Sequence, residues 1–397
     1  MPVWNSFLHF VQDMNRVTEP TERQRLADEL IAQRSEWPWV EGDRAAFVYQ
    51  GTDVTSVALN LDIIEADPPF VPLVNLEHTS LWYIQREFAR DDLLDYLLAV
   101  NDPMTPLREE ADLLGRIQAH WRVDPRNSVR MNAQIDTSIL RMPQARPVPD
   151  WQSFNAVPHG RVVEHEFNSV QMNFQGRKLW VYMPPDYERM PNNEFPLLIL
   201  FDGQWMVGAL QVAAMVDALI KHNRIEPLVI AMLQSAPGQA DRNAEYISND
   251  KHYASMLTEL LPLLQTQYRV NPVELGVGGA DMGAIAAAHM ALKNPAVFRH
   301  LIMISPPLGK GADQDALSAY VERFKTTRHL PARIFQSVGR YEAMARFVRP
   351  MREMATAMES RSDVAYQCVE LGSGHGLVAF KSILPEALAH AFPLKQR

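Results

Sequence analysis

The residues best suited to chemistry in this 397-residue chain lie in Gly279-Ala280-Asp281-Met282-Gly283. The preceding Leu275-Gly276-Val277-Gly278 reads as a strand, and Ala284-Ile285-Ala286-Ala287-Ala288-His289-Met290 reads as a small-residue helix. A side chain at the apex of such a strand–turn–helix bend stands clear of the backbone, and small residues on either side let the bend close. The apex here carries a carboxylate. Attack by a carboxylate on an ester carbonyl would give an anhydride, which is poorly favoured. At an sp³ carbon the same group can displace a leaving group, and the resulting ester can be cleaved by water. Beside a second ionisable group it can instead act as acid or base, the two shifting each other's pKa. The competing reading is an aspartate that caps the following helix by accepting from its exposed N–H groups.

Two further residues fall in an order that suits a triad. His375 lies in the glycine-flanked loop Gly372-Ser373-Gly374-His375-Gly376, after the last apparent strand. Glu342 lies in Ser337-Val338-Gly339-Arg340-Tyr341-Glu342, after the strand before it. Apex residue, acid, histidine is the chain order of the α/β-hydrolase fold, in which a carboxylate orients the imidazole. The bland alternatives are an exposed loop histidine and a glutamate favoured by a helix dipole. The oxyanion hole would use the N–H of Met282 and one from Phe201-Asp202-Gly203-Gln204-Trp205, with Gly203 and Gln204 as candidates. Ser305 and Ser373 are the fallback nucleophiles.

The elements that must position these groups follow from periodicity. From about residue 160 apolar runs alternate with helical patterns: strands at Lys178–Met183, Pro196–Phe201, Pro227–Leu233, Val273–Val277, His300–Ile304, Ala332–Ser337 and Val364–Glu370. Helices are expected over about 207–222, 251–268, 283–293, 313–325, 343–358 and 377–391. Such alternation means a mainly parallel sheet with helices on both faces. Upstream, residues 5–35 read as helical, and short β-prone runs at Ala45–Tyr49, Ser56–Leu61, Ser80–Phe88 and Leu93–Val100 read as a β-sandwich. Asp102–Pro106 reads as a loop and Arg141–Trp151 as a linker. The expected organisation is a helical segment (1–38), a sandwich domain (39–150) and an α/β-hydrolase domain (151–397).

Composition narrows the classes. A net charge of −9 argues against nucleic-acid binding. The single cysteine, Cys368, sits in an apparent strand as a small hydrophobe, and no intramolecular disulfide can form. No run of 18 apolar residues suggests a membrane span, and no signal peptide is evident, so the cytoplasm is the default compartment. No metal-ligand spacing or phosphate-binding loop is evident, so no cofactor is expected. The expected partner is a small-molecule substrate, and the sequence leaves open a homodimer.

The segments Leu200–Trp205, Asp241-Arg242-Asn243-Ala244-Glu245-Tyr246, the bend at 279–283, Gly339-Arg340-Tyr341-Glu342 and Gly374-His375 together resemble the enterochelin esterase family, over about 160–392. Residues 40–145 more weakly resemble that family's immunoglobulin-like N-terminal domain. The resemblance implies a cytoplasmic hydrolase that opens catecholate siderophore esters through an acyl-serine, with the N-terminal domain covering part of the cleft. It puts Asp281 at the nucleophile position, His375 as base and Glu342 as acid. It makes Arg242 and Glu245 cleft residues and Trp205 a stacking platform, against plain packing and ion-pair readings for Trp205 and Arg242. Asp281 departs from the family's serine. An apex aspartate is similar instead to haloalkane dehalogenases and epoxide hydrolases. Two readings follow: an enzyme using Asp281 covalently or as acid or base, or a degenerate esterase that binds a ligand or partner.

Overall fold

The computed structural model describes residues 4–395 except 62, 65, 155 and 310–313. Its contacts divide the chain into two units, Met1–Pro147 with Gly372–Val378, and Val148–Leu371 with Ala379–Arg397.

The first unit opens with helices α1 (Phe7–Met14) and α2 (Pro20–Gln33). Their apolar faces, including Phe7, Phe10, Met14, Leu26 and Leu30, bury against Trp37, Trp39, Ala46 and Val48. Strands β1 (Trp39–Glu41), β2 (Arg44–Gln50), β3 (Val57–Leu61), β4 (Phe70–Pro72), β5 (Val74–Asn75), β6 (Leu81–Glu87) and β7 (Leu93–Val100) follow. Helix α3 (Leu113–His120) leads to β8 (Trp121–Arg122), β9 (Arg130–Met131) and β10 (Thr137–Arg141). Two antiparallel sheets result, β1-β2-β6-β5 and β4-β3-β7-β10-β9, with β8 on β7. Phe47 on β2 meets Tyr96 on β7 edge-to-face at 5.0 Å, both fully buried, so apolar side chains join the sheets as in a sandwich. Helix α3 and strands β8 to β10 were not anticipated, because residues 107–141 carry few apolar runs.

The second unit holds β11 (Arg161–Ser169), β12 (Phe174–Met183), β13 (Phe195–Phe201), α4 (Gly203–Val207), α5 (Val212–Lys221), β14 (Val229–Leu233) and α6 (Gln239–Tyr246). A helix over Asp250–Gln267 follows, formed by α7 (Asp250–Ser255), a π-helical turn and α8 (Leu261–Gln267). Then come β15 (Val270–Ala280), α9 (Met282–Lys293), β16 (Phe298–Ile304), α10 (Gln314–Thr326), β17 (Arg333–Gly339), α11 (Arg349–Met358), β18 (Ala365–Leu371) and α12 (Leu377–Ala391). The sheet runs β11-β12-β14-β13-β15-β16-β17-β18, parallel from β14 to β18. This is the expected α/β-hydrolase architecture. The central strands β13 and β14 are apolar throughout because helices cover both sheet faces.

Three local differences have physical causes. The helix expected over 207–222 is broken: Gly208–Gln211 intervenes, with Gln211 at φ 53°. Strand β11 leaves no strand signature in the sequence because it is an edge strand bearing Arg161, Glu164, His165 and Glu166, without an apolar run. Helix α6 leaves no apolar signature because its buried face is Arg242, Glu245 and Tyr246, at helical spacing but largely polar. Residue 313, at the start of the helix expected over 313–325, lies outside the described residues. No described helix is long and apolar enough to cross a membrane.

Beneath the sheet's carboxyl edge His252 is enclosed against the rings of Phe201 and Tyr246, and its Nε2 has no hydrogen-bond partner among the described residues. Burial, with smaller contributions from Arg177 and His289, lowers its pKa from 6.5 to about 3. The folded chain therefore binds fewer protons than the unfolded chain between these values. The resulting stability is complete above about pH 6.5 and is lost as pH falls toward 3. His252→Phe should flatten this part of the acid profile. Denaturant unfolding at pH 7 and 4.5 should show a smaller loss in the variant than in wild type; equal losses would refute the assignment.

Candidate active site

Three adjacent strands bring the site together at their carboxyl ends. Asp202 follows β13, β14 leads into α6 with Arg242, and Asp281 follows β15. This edge is where open α/β sheets bind ligands.

Asp281 sits at φ 51°, ψ −124°, a conformation that non-glycine residues rarely adopt, between β15 and α9. Its N–H donates to Ile304 O at 2.9 Å, and its own carbonyl accepts from Ala284 N at 3.0 Å. Glycine is required on both sides. A Cβ on Gly279 would stand 2.4 Å from the backbone carbon of Gly283, and one on Gly283 would stand 2.6 Å from Asp202 Oδ2. The Asp281 side chain makes no capping hydrogen bond to α9, which removes the helix-cap explanation for the residue. Instead Oδ2 accepts from Arg242 Nη1 at 2.9 Å, with the side chain 16% exposed.

Arg242 is held from the other side by Asp202, a residue absent from the sequence-based site. Nε and Nη2 donate to Asp202 Oδ1 and Oδ2 at 2.7 and 2.8 Å, a bidentate pair. Burial opposes the Arg242 charge, but the Asp202 hydrogen bonds, then the Asp202 and Asp281 charges, push its pKa above the ordinary value. The guanidinium also lies 4.7 Å from the Trp205 ring centroid. Trp205 is therefore a cation–π partner of Arg242 in this structure. Asp202 itself adopts φ 59°, and its N–H donates to Tyr246 Oη at 3.2 Å. The signal that could have revealed Asp202 is the Asp-Gly pair ending an apolar strand, where a left-handed residue turns the chain.

The remaining expected residues are placed as follows. Met282 is the first residue of α9, so its N–H is at the positive helix end. Gly203 and Gln204 open α4, and a Cβ on Gly203 would strike the Met232 backbone at 2.6 Å. The Gln204 side chain pairs reciprocally with Ser235. Glu245 is buried and accepts from Arg177 at 3.0 and 3.1 Å, with burial raising its pKa against the pull of that arginine. Glu342 is buried, and its Oε1 accepts from Ser305 Oγ at 2.7 Å and from Gly339 N at 2.6 Å. Ser305 is fully buried and committed to that bond. His375 is exposed on the loop 372–376, which belongs to the first unit together with Ser373, whose Oγ is buried. Cys368 is half-buried, with burial raising its pKa. Among the described residues no group of three or more His, Cys, Asp or Glu could hold a metal ion.

Residues 169–391 match the family model described as "Putative esterase", more than half of the chain. The chain belongs to this esterase family. The enterobactin esterase of Shigella flexneri, solved in the presence of enterobactin, is similar at TM-score 0.73 and 18% identity, over 91% of this chain and 97% of that one. The ferric enterobactin esterase of Salmonella typhimurium is similar at TM-score 0.73 and 17% identity, over 92% and 98%. A ferulic acid esterase matches at TM-score 0.51 and 17% identity, over 60% of this chain and 99% of its own. At these identities the likeness is one of fold. No curated protein matches the sequence.

Removing Asp202 strands a buried guanidinium. Asp202→Ala should cost about 3–5 kcal/mol in denaturant unfolding. The double variant with Arg242→Ala should cost less than the two single changes combined, because the stranded charge goes with it. Strictly additive losses would show that the pair is not coupled.

Proposed function

We propose that this member of the esterase family is an enzyme acting on a small molecule, with Asp281 in place of serine as the reacting group. The observation that carries the reading is the strained apex. Its backbone costs on the order of 1–3 kcal/mol, and its carboxylate is turned to a buried arginine rather than used to cap α9. The similarity to enterobactin esterases supports a substrate of siderophore type or another ester- or peptide-bearing natural product.

In the covalent form of this reading, an Asp281 oxygen forms a bond to an sp³ carbon as the leaving group departs with the bonding pair. Water then adds to the acyl carbon of the Asp281 ester and gives a proton to His375, the base in chain order. Glu342 fills the acid position. The Met282 N–H and an N–H of Gly203 or Gln204 would stabilise the oxyanion. Collapse expels the alcohol oxygen, which takes the proton from His375, and the carboxylic acid at 281 releases its own proton to solvent. In the acid–base form, Asp281 moves a proton without bonding to carbon. Arg242 orients the carboxylate in either form, and Trp205 and Glu245 bound the site.

One observation favours a second reading. An ion pair with Arg242 reduces the nucleophilicity of Asp281, as expected of a degenerate esterase that binds a ligand or partner.

Wild type, Asp281→Asn and Asp281→Ser should be assayed on aryl esters, acyl thioesters, epoxides and alkyl halides. The enzyme reading expects turnover by wild type and a loss of about 10⁴-fold or more in Asp281→Asn. Isotope-labelled water should enter Asp281 in a single turnover if the intermediate is covalent, and should not in the acid–base form. Inert wild type, with ester hydrolysis gained by Asp281→Ser, would favour the degenerate esterase.

A further inference from the structure

We infer that Asp95, on β7 of the sandwich, is a positioning residue for the His375 imidazole. The inference rests on the reading of His375 as a base.

Two features of the first unit lead there. First, the loop carrying His375 is tied to β7 at its first residue: Leu93 N–H donates to Gly372 O at 2.7 Å. Second, Asp95, two residues further along, directs its carboxylate at the loop's other end. A Cβ built on Gly376 would stand 3.5 Å from Asp95 Oδ2 and 3.8 Å from Oδ1. His375 thus lies between a loop residue hydrogen-bonded to β7 and a glycine that faces the Asp95 carboxylate on the same strand.

The electrostatics agree with this placement. Burial raises the Asp95 carboxyl above its ordinary range, while the neighbouring His375 charge acts to lower it. A partly buried carboxylate in a strand otherwise filled by Leu, Tyr, Ala and Val costs free energy unless a partner offsets it. A carboxylate beside an imidazole fixes the ring's orientation and tautomer and stabilises the imidazolium formed when the ring takes a proton. Asp95 therefore gives the loop an anchor in charge as well as in backbone.

The inference is tested on the full chain labelled with ¹⁵N-histidine, following the His375 ring through a pH titration. In Asp95→Asn the ring's midpoint should fall below that of wild type, and Asp95→Glu should restore it toward wild type. A loop tied down only by backbone contacts would leave the midpoint unmoved in both variants, which overturns the inference. If Asp95→Asn does not fold, the reciprocal variant decides. His375 is exposed, so His375→Gln leaves the core intact, and the Asp95 carboxyl ¹³C resonance should then titrate at higher pH. An unchanged Asp95 midpoint overturns the inference. Neither readout involves turnover, so inert wild-type protein with the expected shifts would defeat the Asp281 chemistry alone.

Discussion

One guanidinium, Arg242, governs the geometry of the carboxyl edge of the second unit. It is bound bidentately by Asp202, shares its remaining nitrogen with Asp281 and lies over Trp205. Taking such a charge out of water costs several kcal/mol, and the cost is recovered only if its hydrogen bonds are made with good geometry. The ends of β13 and β15 and the helix after β14 are therefore fixed against one another. The consequences spread into the backbone. Because the Asp202 carboxylate lies where a side chain at 283 would go, α9 can approach β13 only with glycine there. Because Gly203 lies against the Met232 backbone, the turn that delivers Asp202 also needs glycine. Gly283 makes room for the ion cluster itself, while Gly279 and Gly203 let the bend and the Asp202 turn close against neighbouring backbone.

The architecture was legible in the sequence wherever burial leaves an apolar signature. Leu197–Leu200 and Val229–Leu233 are covered on both faces and read as continuous apolar runs. The small-residue stretch 283–291 is a helix packed so closely on the sheet that it is buried along its whole length. Where polar residues face inward the signature fails. Helix α6 buries Arg242, Glu245 and Tyr246 at a spacing of three and four, and that periodicity is invisible when only apolar residues are scored. The buried ionic centre of the site was thus the part least accessible to pattern. Arg242 and Trp205 stand out only through resemblance, and Asp202 does not stand out, because an aspartate after a strand reads equally well as a turn. Asp95 was hidden for another reason: it lies far from His375 in sequence and meets its loop only through tertiary folding.

The Arg242 cluster also bears on what an aspartate at the apex means. The backbone conformation at 281 is set by the glycines on either side, by the bond from Asp281 N–H to Ile304 and by the packing of α9, none of which depends on the apex side chain. A serine there would leave this scaffold intact but remove one carboxylate from a site that already holds Asp202. With aspartate, two carboxylates share one guanidinium. The anion at 281 thus answers a cation that the fold has already immobilised, and any substrate must work with that pair or displace it. A ligand bearing its own anionic group would compete with Asp281 for Arg242, whereas a neutral electrophile would meet a carboxylate held in one orientation. On the proposed reading, the interaction that rigidifies the site would also select among substrates, by charge before shape.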